Sequence, residues 1–263
     1  MKKRVMLFAV LLVAVLFSIP AIAEEIQIVG TGSGAEILEG LGKAFTKTNP
    51  GVTIAVPKSI GSGGAIKAAG TDTAKIGRVA RGIQEKEKSF GLTYLPVAKM
   101  PIVVMTHKGV GVKNLTPQQI CDIYSGKIAN WKEVGGKEGN IRIIRREDGD
   151  SSLDVLLKTL PGFKAITITA KSKTTLSDPE TIELTEKTAG TISFGTYPNA
   201  KVSDVTVLTV GGKSAASSDY PYFGELALVF KPANKIGNIA KLIDFITSPA
   251  ARDAIKGAGG LTL

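Results

Sequence analysis

Three times along this chain a short apolar run ends in glycines and serines that open an amphipathic helix. Residues 26–29 run into Gly30-Thr31-Gly32-Ser33-Gly34, after which Ile37, Leu38, Leu41 and Phe45 recur at helical spacing until Asn49-Pro50-Gly51 stops them. Residues 52–56 lead to Gly61-Ser62-Gly63-Gly64 and a second, shorter helix. Residues 141–145 lead to Gly149-Asp150-Ser151-Ser152, followed by Leu153, Leu156, Leu157 and Leu160. Strand, tight turn and helix in repeated succession restrict the chain to an α/β architecture. The rest keeps the alternation. Residues 94–98 and 102–106 read as two strands, and residues 192–194, 205–210 and 226–230 as later ones. Thr116-Pro117-Gln118-Gln119 is a capping box with proline in the first turn, on a helix that Gly126 ends. Asp178-Pro179 opens another helix, and Ile239, Leu242, Ile243 and Ile246 mark a final helical region.

The three turns also carry chemistry. The first amides of a helix find no partner inside it, and the helix dipole adds positive potential there. Glycine lets the backbone approach an anion closely, and serine adds hydroxyl donors, so such a turn can hold an anion without a metal. One turn of this kind is ordinarily a cap. Three of them, with arginines beside two, point to an anion site. Other readings fail on particular residues. Gly30, Gly32 and Ala35 fit a dinucleotide fingerprint, yet Val56-Pro57-Lys58 brings no acidic residue to hold a ribose. A nucleophile elbow around Ser33 would need glycines where Thr31 and Ala35 stand. Residues 61–67 lack the Gly-Lys-Ser/Thr of a phosphate-binding P-loop. The carboxylates Glu147, Asp148 and Asp150 stand beside Arg145 and Arg146, which makes an ion-paired turn rather than an acid–base pair.

Composition removes further classes. With 263 residues, 43% of them hydrophobic, the chain can build one large α/β unit or two lobes, and disorder is excluded. Its one cysteine, Cys121, can form neither an internal disulfide nor a four-cysteine metal site, and its one histidine, His107, excludes a two-imidazole site. Aromatics are 6% and no basic run interleaves with them, so nucleic acid is not an expected partner.

The first residues read as a cleaved export signal. Lys2, Lys3 and Arg4 precede an apolar stretch over 5–19, and Ala21-Ile22-Ala23 matches a signal-peptidase site, so the mature chain starts at Glu24. Loss of those three basic residues brings the net charge from +10 to +7. No cysteine follows the apolar stretch to take a lipid anchor.

The chain resembles the phosphate-binding periplasmic proteins of ABC transporters, the PstS-type solute receptors. Ser59-Ile60-Gly61-Ser62-Gly63-Gly64-Ala65-Ile66 is similar to that family's glycine-rich loop, and residues 115–131, from Leu115-Thr116-Pro117-Gln118-Gln119 to Ile128-Ala129-Asn130-Trp131, to its most specific segment. Ile76-Gly77-Arg78-Val79-Ala80-Arg81, Gly190-Thr191-Ile192-Ser193-Phe194-Gly195 and Asp219-Tyr220-Pro221 resemble three further stretches.

The resemblance implies a two-lobe, type II periplasmic-binding-protein fold with an oxyanion held between hinged lobes. Residues 1–23 are then the signal peptide, 24–106 lobe one with 226–263 returning to it, and 107–225 lobe two. It implies inorganic phosphate or a related oxyanion as ligand, an inner-membrane ABC permease as partner, and a monomeric periplasmic protein with no catalytic residue, cofactor or metal. Carried onto this sequence, the ligand set is Ser33, Gly34, Ala35 and Ser62 from lobe one and Arg146, Ser151 and Ser152 from lobe two, with Asp148 holding Arg146. Arg81 stands where many members place a carboxylate that accepts the proton of phosphate, and it reads either as a ligand or as an ion-pair partner. Asp150 replaces a serine, and reads either as that acceptor moved to the facing turn or as a helix cap. His107 reads as a hinge-strand residue and Trp131 as core. The alternatives are a receptor or sensor for another oxyanion and, from a different class, a secreted phosphate-ester hydrolase.

Overall fold

The structure is a computed structural model that describes residues 24–263; the signal peptide expected at 1–23 lies outside the described residues. The first half begins β1 (Glu24–Gly30), α1 (Ala35–Thr48), β2 (Val52–Ala55), α2 (Gly61–Gly70) and β3 (Ile76–Val79). In α1 the apolar residues Ile37, Leu38, Leu41 and Phe45 form one buried face, as their spacing demands. β1 lies between β2 and β3 in parallel register.

β4 (Thr93–His107) is a single strand, where the sequence reads as two. Proline cannot donate to a sheet ladder, and this strand holds two, Pro96 within the first expected strand and Pro101 between the two. One is accommodated at an irregularity and the other at the end of a ladder. Pro96 pairs with Ala227 where the register to β11 (Phe223–Phe230) shifts, and Pro101 pairs with Phe223 at the start of β11. From Ile102 onward β4 takes new antiparallel partners, β8 (Thr191–Thr196) and then β9 (Val205–Val207).

That exchange of partners divides the molecule into two lobes. Met100 belongs to an apolar core with α1, β1 and α7 (Gly237–Ile246), whereas Ile102 belongs to a second core that includes Tyr124, Trp131, Phe163 and Phe194. The changeover therefore falls within β4 at Pro101, ahead of the boundary at residue 106 expected from sequence. His107 ends β4 inside lobe two, and its Nδ1 accepts from the Gly109 amide. Lobe two contains β5 (Asn114–Leu115), α3 (Pro117–Tyr124), β6 (Arg142–Arg146), α4 (Ser151–Thr159), β7 (Lys173–Thr175), α5 (Asp178–Lys187), α6 (Tyr197–Lys201) and β10 (Thr209–Val210). β10 pairs apart with β5, so residues 205–210 are two short strands. α3 starts on the expected capping box, with Thr116 Oγ1 accepting from the Gln119 amide at 3.2 Å and Gln119 Oε1 from the Thr116 amide at 2.9 Å. Trp131 is fully buried and its indole N–H donates to the Gly190 carbonyl at 2.9 Å, which makes it core. The final helical region is two helices. α8 (Pro249–Gly257) restarts after Ser248, whose hydroxyl caps it.

α1, α4 and α5 all open at the carboxyl ends of parallel strands, where open α/β sheets hold ligands. Among the described residues no helix is long and apolar enough to cross a membrane.

Candidate functional site

The three glycine–serine turns converge on one cavity of about 830 Å³ between the lobes. The first turn contributes Thr31, Gly32, Ser33 and Ala35, the second Gly61, Ser62 and Gly63, and the third Gly149, Asp150 and Ser151. Ser33 and Ser151 meet across the lobes, their hydroxyl oxygens 2.7 Å apart. Gly34 sits at φ 79°, a left-handed conformation that glycine adopts readily. A Cβ there would come within 2.7 Å of Met100 Sδ and 2.9 Å of Leu226 Cδ2, so both backbone and space exclude a larger residue. Ala35 donates to the Gly32 carbonyl at 3.4 Å, a long bond. Ser62 Oγ accepts from the Ala80 amide at 3.0 Å, which leaves its own proton to donate into the cavity.

Arg146, the last residue of β6, is 5% exposed and lines the cavity. Its partners differ from the one expected. Asp148 turns outward, 93% exposed, and pairs with Arg145. Arg146 instead pairs with Asp178 at the start of α5, with Asp150 at 3.0 Å and with Glu147 at 3.2 Å. Register explains Asp178: Arg146 lies opposite Thr175 in the parallel β6–β7 pair, so the chain leaving β7 runs past the guanidinium. Thr196 Oγ1 and Asn199 Nδ2 each donate to Asp178 Oδ2 at 3.3 Å and fix it there. Burial disfavours the charge on Arg146, but the three carboxylates outweigh it and hold its pKa above the usual value.

Two buried carboxylates, Asp178 and Asp150, and the part-exposed Glu147 share one cation, which cannot compensate them all. Burial pushes Asp150 up to about 6, against the opposing pull of Arg146 and the Leu153 amide. Asp150 Oδ1 accepts from the amides of Ser152 and Leu153, both at 3.0 Å, and Oδ2 faces Arg146. Both oxygens are thus engaged in capping α4 and holding the arginine. Ser152 is fully buried behind the turn and is not among the cavity-lining residues. Arg81 lines the cavity but makes a two-pronged pair with Glu87, both contacts at 2.8 Å, which holds Glu87 down to about 2.

Several cavity residues carry no signal in sequence. Arg78 is 1% exposed and donates to the carbonyls of Ile28, Thr31 (2.6 Å) and Pro57 (2.6 Å). Burial lowers its pKa while Glu36 and Glu39 act in the opposite direction. Glu36, in the first turn of α1, keeps Oε2 buried without a partner among the described residues. Burial raises its pKa, opposed by its own amide, and Asp178 of the other lobe adds to the rise. In total five basic and five acidic side chains line the cavity, so any attraction for an anion comes from local arrangement rather than net charge.

The model of the PBP superfamily domain matches residues 18–250. The chain is 24% identical to the phosphate-binding protein PstS of Borreliella burgdorferi, with 99% of each chain covered. A Clostridium perfringens protein described as a phosphate ABC transporter substrate-binding protein, solved with bound phosphate, superimposes with a TM-score of 0.78 at 30% identity, over 91% of this chain and all of that one. An ABC-type phosphate transport receptor from Vibrio cholerae shares the fold, with a TM-score of 0.65 at 21% identity over 90% of this chain and all of its own. Two lobes exchanging partners on one strand, a cavity between them and these likenesses place the chain in the PBP superfamily, among its PstS-type substrate-binding proteins.

Proposed function

We propose that this chain is exported, captures inorganic phosphate between its two lobes and delivers it to an ABC permease. The observation that carries the reading is the meeting of three helix-opening turns, two from lobe one and one from lobe two, on a single cavity with Arg146 in its wall. Serine hydroxyls at Ser33, Ser62 and Ser151 supply neutral donors, and the dipoles of α1, α2 and α4 supply positive potential. Arg146 supplies a planar, charged donor held in place by Asp178, and a guanidinium matches an oxyanion in two-pronged fashion. Asp150 acts as cap and arginine anchor, and Arg81 as the partner of Glu87. Donors on both lobes mean that the anion favours the closed state and is released on opening. Transport therefore needs no bond to break.

Calorimetric titration with inorganic phosphate tests the reading. Arg146→Ala should lose about 2–5 kcal/mol of binding, the usual consequence of truncating a buried charge pair, while remaining folded. Binding within a few-fold of wild type would place the anion elsewhere. Release of phosphate from a generic ester by the wild-type protein would contradict a purely binding role.

A further inference from the structure

Three arginines line the cavity, and two are already neutralised: Arg81 by Glu87, and Arg146 by Asp178, Asp150 and Glu147. Arg78 is different. It is the most deeply buried of the three, and among the described residues it forms no ion pair. Its partners are three carbonyls, those of Ile28 on β1, Thr31 in the first turn and Pro57 just before the second. Its stem lies against Gly30, where a Cβ would come within 2.9 Å of Arg78 Cγ. The guanidinium thus sits behind both lobe-one turns, with two of its five N–H groups uncommitted.

Carbonyl dipoles solvate a buried cation only in part, and an unpaired buried charge is costly. Such a charge at the wall of an anion cavity acquires its counter-ion when the cavity fills. We propose that Arg78 is the fixed positive charge of the lobe-one half of the site: it sets the potential at the two turns, with the captured anion as its counter-ion. The inference rests on the phosphate reading above. Arg78 is a positioning and electrostatic residue, because three of its N–H groups hold β1 and the chain at the two turns. A fixed charge with no ion-pair partner, opposed only through space by Glu36 and Glu39 of α1, also favours a doubly over a singly charged anion, so it contributes to preferring phosphate in its more ionised form.

The test titrates wild type, Arg78→Gln and Arg78→Lys with inorganic phosphate by calorimetry, across the second ionisation of phosphate, with urea midpoints measured alongside. Arg78→Gln is expected to bind about tenfold more weakly or worse at alkaline pH and to lose less at acid pH, flattening the profile. Arg78→Lys is expected to stay within a few-fold of wild type with the same profile. A folded Gln variant whose profile parallels that of wild type overturns the proposal. If the Gln variant does not fold, Arg78→Lys decides: affinity retained supports the charge, and a loss of tenfold or more with an unchanged profile shows a clamp for the turns instead. Absence of phosphate binding by wild type refutes the parent reading, a result distinct from all of these.

Discussion

Asp150 should make the unliganded protein less stable as the pH rises, and one substitution isolates the effect. Its carboxyl is 9% exposed and shares one guanidinium with Asp178 and Glu147. Its pKa in the folded protein is about 6 against an ordinary 3.8, so the fold prefers its protonated form. A raised carboxyl pKa means that the unfolded chain gives up the proton first. The group's contribution is then most favourable below about pH 4 and is lost between about pH 4 and 6. The difference between the two pKa values corresponds to about 3 kcal/mol. Asn at this position keeps an oxygen to accept the Ser152 and Leu153 amides, and Asn caps helices as well as Asp does, so Asp150→Asn removes the titration while retaining the cap. Urea unfolding in phosphate-free buffer should show Asp150→Asn gaining on wild type by about 2–3 kcal/mol from pH 4 to pH 8. A difference that does not vary with pH, or wild type gaining on the variant as pH rises, would refute the reasoning.

Gly34→Ala should lower stability by about 1–3 kcal/mol in chemical denaturation, because it combines a left-handed backbone with contacts under 3.0 Å to Met100 and Leu226; an unchanged midpoint would mean the turn has another conformation. Ser62→Ala should weaken phosphate binding by about 1–3 kcal/mol, the usual effect of one lost buried hydrogen-bond partner, and calorimetry showing no loss would remove Ser62 from the site. Among the described residues one carboxyl oxygen of Glu36, in the cavity wall, has no partner, and it can accept the proton that phosphate carries and sulfate lacks. Competition binding should therefore find the preference for phosphate over sulfate reduced in Glu36→Gln and kept in Asp150→Asn; the opposite pattern would return the acceptor role to Asp150.

The parts of the fold written locally were legible. A glycine–serine cluster after an apolar run opens a helix wherever it occurs, and Thr116 with Gln119 closes a capping box without help from distant residues. β4 was not legible as one strand, because Pro101 interrupts it locally while its continuity comes from pairing with residues far along the chain. The site divides in the same way. Ser33, Ser62 and Ser151 stand in turns visible in the sequence and Arg146 was singled out by the family resemblance, and all four line the cavity. The partner of Arg146 was misread as Asp148, its neighbour in sequence, because only the β6–β7 register brings Asp178 alongside. Arg78 left no trace, since its partners are main-chain carbonyls that any residue supplies.

Arsenate is an oxyanion of phosphate's shape whose arsenic scatters X-rays anomalously, and it locates the ligand without prior assumption. Crystals grown with arsenate should show one strong anomalous peak per chain between the lobes, within hydrogen-bond reach of Ser33, Ser62 and Ser151 and beside Arg146. A peak held by one lobe alone, or none in that cavity while the anion is shown to bind in solution, would contradict capture between the lobes.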